Sequence, residues 1–236
     1  INSQYIYTNS LAISAVETLK GGADTDTFSV ADGVNFTGSI DGRGGSDTLS
    51  YAGNASAATV TLTGLGAIDG FAGTATGLSI GFENIDILIG SQATSDTMTG
   101  LGMDATWAVT GADTGVYTFG NSLSFQAVEN LAGGSGNDTL TFAAFASGRD
   151  IRVVAVGAVD GFDLQEASFS GTFKNINTLI GSPATGSGSS SDILTGLDAV
   201  AIWFVTGTDS GIYNRGSTLA FSAIERLSGG SAIDTL

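Results

Sequence analysis

The chain has no cysteine and no histidine, one proline in 236 residues, and only 7 Lys and Arg against 23 Asp and Glu. Each shortage excludes something. Without Cys there is no disulfide, no thiolate nucleophile and no cysteine metal site. Without His, the usual general base, the serine-type triad and most zinc or iron sites are gone. A formal charge of −16 leaves almost nothing to neutralise phosphates, which argues against nucleic acid and against anionic membrane. The longest apolar run, Ala199–Val205, is far short of the ~18 residues that a membrane-spanning helix needs. No basic segment followed by an apolar one opens the chain, so no signal peptide is visible. Ile1 stands where an initiator Met would, which predicts a piece of something longer.

Other residues are in excess. Glycine supplies 36 positions, roughly twice the usual share of about 7%. Hydrophobic residues make up 42% and are spread along the chain, so it is not a disordered composition. Short β-branched or aromatic runs such as TVTLTGL, TWAVTG and DIRVVAV are bounded by Gly, Asp, Asn or Ser, and no window carries a helical apolar stripe.

Repeats settle the expected architecture. The segments LAISAVETLKGGADTDTF from Leu11, LSFQAVENLAGGSGNDTL from Leu123 and LAFSAIERLSGGSAIDTL from Leu219 match in phase. FENIDILIGS at Phe82 aligns with FKNINTLIGS at Phe173, and TWAVTG around Trp107 with IWFVTG around Trp203. These divide the chain into one repeat over 1–112, a shorter one over 113–208, and the start of a third over 209–236. The second lacks a block of 21 residues between Leu140 and Ile151 and then resumes in register, AIDGF at Ala67 meeting AVDGF at Ala158. A sandwich or a barrel rarely loses a strand-sized block from its middle. A solenoid can lose one whole coil, because each coil touches only its neighbours. The expected fold is therefore all-β, a parallel β-solenoid with coils of about 20–25 residues. Five extra residues near 183–190 read as a loop bulging from a turn.

One stretch, Gly133–Thr141, reads GGSGNDTLT and fits the nonapeptide G-G-x-G-x-D-x-U-x, where U is a large apolar residue. Imperfect copies stand at Gly21–Ser29, Gly42–Ser50 and Gly229–Leu236, with looser relics at Ser95 and Ser191. On these motifs the chain resembles the haemolysin-type calcium-binding (RTX-like) repeats of secreted bacterial proteins, in particular the long tandem-repeat, adhesin-like surface proteins. The motif glycines Gly21, Gly22, Gly44, Gly45, Gly133, Gly134, Gly136, Gly229 and Gly230 are expected to supply turns with positive φ. The family builds calcium sites from consecutive turns, whereas here the motifs are mostly isolated. The exception is the pair at Gly21 and Gly42, whose stacking would bring Asp24 and Asp26 near Asp41 and Asp47 as candidate calcium ligands. Asp138 is a weaker candidate, its partner coil being the missing one. The alternative is that these Asp residues bond only to the backbone of their own turns.

Glu17, Glu129 and Glu225 recur too far apart to form a catalytic pair, and a solvated or turn-bonding role is expected. Trp107 and Trp203 sit in apolar strands and are expected in the core. The Thr-x-Thr pairs at Thr59/Thr61/Thr63, Thr74/Thr76, Thr97/Thr99 and Thr139/Thr141 are spaced too irregularly for an ordered array. The resulting expectation is a non-enzymatic structural or adhesive segment of a long extracellular, cell-surface or filament protein. Its partners would be neighbouring repeats or identical chains end to end, and extracellular polysaccharide, with calcium as the one candidate cofactor. The alternatives are a calcium-dependent folding and secretion module, which the resemblance implies, and a β-helix carbohydrate-active enzyme.

Overall fold

The computed structural model describes residues 16–184 and 191–235. The opening segment with Leu11, most of the inserted loop at 183–190, and Leu236 lie outside the described residues. No helix forms among the described ones, and the chain makes 23 strands in two mixed sheets of 12 and 11 strands.

The chain crosses from one sheet to the other by a fixed rule. Lone three-residue strands open it: β1 (Thr18–Lys20) and β3 (Ser39–Asp41) in the first sheet, β2 (Thr27–Ser29) and β4 (Thr48–Ser50) in the second. A three-stranded meander follows in the first sheet, β5 (Thr59–Leu65), β6 (Phe71–Ala75) and β7 (Leu78–Ile85). Then β8 (Ile87–Ile89) lies in the second sheet and β9 (Thr97–Thr99) in the first. The next meander, β10 (Thr106–Gly111), β11 (Thr114–Phe119) and β12 (Asn121–Gln126), has changed sheets. The lone strands β13 (Asn130–Ala132) and β14 (Thr139–Thr141) lead to a meander back in the first sheet, β15 (Asp150–Val156), β16 (Phe162–Glu166) and β17 (Phe173–Ile176). After β18 (Thr178–Ile180) and β19 (Ile193–Thr195), the last meander is in the second sheet: β20 (Ile202–Gly207), β21 (Ser210–Asn214) and β22 (Thr218–Ser222), with β23 (Arg226–Ser228) after it.

Lone strands pair in parallel with the strands one coil away. Thr18 lies opposite Ser39 and Thr27 opposite Thr48, an offset of 21 residues in each sheet. Within each meander the pairing is antiparallel, as in Trp107 opposite Tyr117 and Tyr117 opposite Leu123. The expectation of parallel pairing throughout is thus corrected: both sheets are mixed. The physical reason lies in the turns. Gly66 and Gly157 amides close the β5–β6 and β15–β16 hairpins onto the carbonyls of Gly70 and Gly161, both with positive φ. Asp113 and Asp209 adopt positive φ at the tight β10–β11 and β20–β21 turns, a geometry that Asp tolerates and that matches strand twist.

The central residue of each lone strand points inward, giving a single core between the sheets that includes Ile40, Leu49, Leu88, Met98, Leu131, Leu140 and Leu194. The second-sheet meanders add aromatic stacks. Trp107 and Trp203 each lie 4.5 Å, ring centre to ring centre, from Tyr117 and Tyr213, and both indoles are at most 3% exposed. The two tyrosine hydroxyls accept the Leu101 and Leu197 amides at 2.9 and 3.1 Å.

Candidate functional site

The recurring acids sit where the chain turns a corner from one sheet into the other, and they act on the backbone. At the start of a strand, an amide donates to a carboxylate or side-chain amide of the next coil. Asp26 N–H donates to Asp47 Oδ1 at 2.8 Å, and Asp47 N–H to Asp86 Oδ2 at 3.0 Å. Ala58 N–H donates to Asp96 Oδ1 at 2.5 Å, and Asp96 N–H to Glu129 Oε2 at 2.8 Å. Asp138 N–H donates to Asn177 Oδ1 at 3.0 Å. The amides of Arg149 and Asp192 donate to Asp192 Oδ1 and Glu225 Oε2, both at 2.6 Å. Each bond clips one coil to the next at a point where no ladder partner exists. Several acids also hold their own turn: Asp96 and Asp192 accept the amide and hydroxyl of Ser91 and Ser182 at 2.8–3.0 Å. Glu129 and Glu225 are therefore turn-bonding residues, while Glu17 is exposed.

The motif glycines serve close approach more than positive φ, which only Gly45 among them adopts. A Cβ on Gly21 would lie 2.5 Å from the Gly42 carbonyl oxygen, on Gly134 2.0 Å from that of Leu101, and on Gly230 2.2 Å from that of Leu197. On Gly136 it would meet Met103 backbone at 2.3 Å, and on Gly229 the Asp234 carboxylate at 2.2 Å. Gly22 and Gly44 have nothing nearer than 3.6 and 3.8 Å. The expectation of positive-φ turns is corrected accordingly: most of these glycines make room for the neighbouring coil.

Four glycines share one further relation that the sequence did not announce. Gly42, Gly90, Gly133 and Gly181 each press on the carbonyl of a left-handed residue in the next meander: Asn84, Ala127, Asn175 and Ala223, with φ of 52–55°. They recur every 43 to 48 residues, so each long repeat is two half-units that occupy opposite sheets.

The candidate calcium ligands are placed as follows. Asp24 is exposed, and Asp26 accepts the Gly22 amide at 2.5 Å. Asp41 accepts Asn84 Nδ2 at 2.7 Å, Lys20 Nζ at 3.0 Å and the Arg43 amide at 3.1 Å. Burial pushes the Asp41 carboxyl up, but Asn84 and Lys20 outweigh it and hold it below its ordinary value. Asp47 is fully buried. Desolvation lifts its carboxyl, the Asp26 amide opposes the rise, and Oδ2 has no partner. Only Asp26 and Asp47 are joined directly, and among the described residues no three acidic side chains converge to hold an ion.

Asp138 is the most perturbed acid. It is 0% exposed and neither carboxylate oxygen has a hydrogen bond of good geometry. Desolvation pushes it up to about 7, with the nearby Gly134 and Ala105 amides restraining the rise and Asp160 adding to it. A cavity of about 600 Å³ near Leu19, Phe28, Phe36 and Leu78 has no titratable side chain in its lining among the described residues. Comparison with protein families, with curated proteins and with solved structures gives no match.

Proposed function

We propose that this chain is a non-enzymatic structural repeat module of a long extracellular, cell-surface or filament protein, a β-solenoid rod that presents adhesive surface. The observation that carries the reading is the half-unit itself. One meander and two lone strands recur through both sheets with the same glycine–carbonyl contact, and strands pair only with neighbours in the stack. Such a stack transmits load along its axis, because extension must break parallel and antiparallel ladders in turn. The acids support it too, since they are spent on backbone amides at the corners instead of facing each other across a cleft. An acidic, Cys-free surface suits an extracellular rod and keeps neighbouring rods soluble.

The test is pulling a single molecule between its ends. Because half-units touch only their neighbours, unfolding should proceed in steps, each releasing about 48 residues or roughly 17 nm of extended chain. One all-or-none rupture would sink the rod reading. The same protein followed by circular dichroism during calcium addition, with chelator as the zero point, should keep its β spectrum throughout. A coil-to-sheet transition on calcium would instead favour the calcium-dependent folding and secretion module.

A further inference from the structure

The two sheets differ in a way that charge count exposes. None of the eleven strands of the second sheet contains an Asp, Glu, Lys or Arg. The strands of the first sheet hold nine such residues, including Lys20, Asp150, Arg152, Lys174 and Arg226 at exposed positions. In a chain of charge −16, the strands of the second sheet thus present Thr, Ser and mostly apolar side chains outward without a charge among them, although Asp160 of the β15–β16 turn lines a pocket with Thr178, Thr218 and Ala220. Register aligns the Thr and Ser side chains in rows. Ser122, Thr118, Thr106, Thr139 and Thr178 lie side by side on five successive strands. Of the Thr-x-Thr pairs seen along the sequence, Thr139/Thr141 is the one that lies in this sheet, and its row is completed by threonines and a serine of other strands.

The face is also shaped. Near one end, a shallow groove of about 400 Å³ is lined by Thr48, Ile87, Ile89, Thr114, Val116 and Ser124. At the other end, β20 raises a ridge of Ile202 and Phe204, 40% and 51% exposed. The groove lies over the second to sixth strands of the sheet order and the ridge on the eleventh, with β14 seventh. A two-fold axis running along β14 would carry the eleventh strand onto the third, setting each copy's ridge over the other's groove.

We propose that this face binds a second copy of the chain, sheet against sheet, about a two-fold axis at β14. Eleven strands at ~4.8 Å spacing and about 15 Å of width offer roughly 750 Å² per partner, the size of a standard stable interface. Charge argues the same way: of the two sheet faces, this is the one on which two −16 chains meet without opposing like charges among the described strands. This lateral contact is distinct from end-to-end pairing of repeats, and would join rods side by side.

Sedimentation of the whole chain over a range of concentrations tests it. A monomer–dimer equilibrium is expected, tightened by added salt as long-range repulsion is screened. Thr141→Asp places two like charges together at the axis and should weaken dimerisation about tenfold or more. Phe204→Ala should weaken it through loss of the ridge, and Thr99→Asp on the opposite sheet should change nothing. Circular dichroism of each variant separates loss of the dimer from loss of the fold. A wild-type chain that stays monomeric, or a dimer indifferent to Thr141→Asp in a folded variant, overturns the proposal. Retention of a monomer on neutral polysaccharide would also overturn it and assign the face to carbohydrate.

Discussion

Gly90→Ala should lower the thermal midpoint by roughly 6–12 °C, whereas Gly44→Ala should leave it nearly unchanged. The two glycines look alike in the sequence, each beside a strand and an acidic turn. Gly90 donates its amide to the Gln126 carbonyl at 2.9 Å, which draws the chain close beneath the left-handed residue Ala127. A Cβ on Gly90 would lie 1.7 Å from the Ala127 oxygen and 2.7 Å from its carbonyl carbon. Those are backbone atoms and no rotamer change can clear them, so the coils must separate and the corner hydrogen bonds lengthen. Overpacking of this kind costs about 3 kcal/mol or somewhat more. Gly44 has only Ile68 Cγ2 at 3.8 Å and Asp69 Oδ2 at 3.9 Å beside it, both ends of side chains, and its φ is unexceptional. Differential scanning calorimetry of the two variants checks the contrast. An equal effect at both positions would mean that the half-unit contact is not what holds neighbouring coils in place.

This contrast also marks how far the sequence could be read. The all-β class, the apolar centre of each short strand and the burial of Trp107 and Trp203 follow from local pattern, because one side chain in two must enter a dry core. The 21-residue offset of the first coils was visible as a block present in one repeat and missing from the next. The antiparallel meanders do carry a local signal: Asp69–Gly70, Asp160–Gly161 and Gly120–Asn121 are hairpin dipeptides between apolar runs. The change of sheet at every half-unit had no such signal. It depends on the left-handed residues, and at Ala127 and Ala223 nothing in the residue type announces a positive φ. The acids could be located by their periodicity but not given their work. That work is a bond to an amide in the next coil, set by three-dimensional stacking. The face of uncharged strands was likewise hidden, since its strands are scattered from Thr27 to Ser222 and become one surface only in the sheet order.

Asp138→Asn should stabilise the protein near pH 8 and have little effect near pH 4. The carboxyl is raised from 3.8 to about 7 because folding strips it of water while the amides of Gly134 and Ala105 only partly compensate. Below pH 3.8 it is protonated in both the folded and unfolded chain, so it contributes nothing to the pH dependence. As pH rises from there, the unfolded chain releases the proton and the folded chain keeps it. The folded state then binds more protons than the unfolded one, and stability falls with rising pH until about 7, beyond which the loss is complete. The interval corresponds to at most roughly 4 kcal/mol, and relief of about 3 kcal/mol on neutralising the side chain is the expected result at pH 8. Asn preserves the volume and can donate where the unpartnered oxygens now cannot. Urea unfolding of both proteins at the two pH values measures the difference. The same experiment with calcium present separates the two roles proposed for this position. If Asp138 is a buried structural acid, the variant stays the more stable protein with or without the ion. If it is a metal ligand, calcium stabilises the native chain and not the variant, so the order of stability reverses.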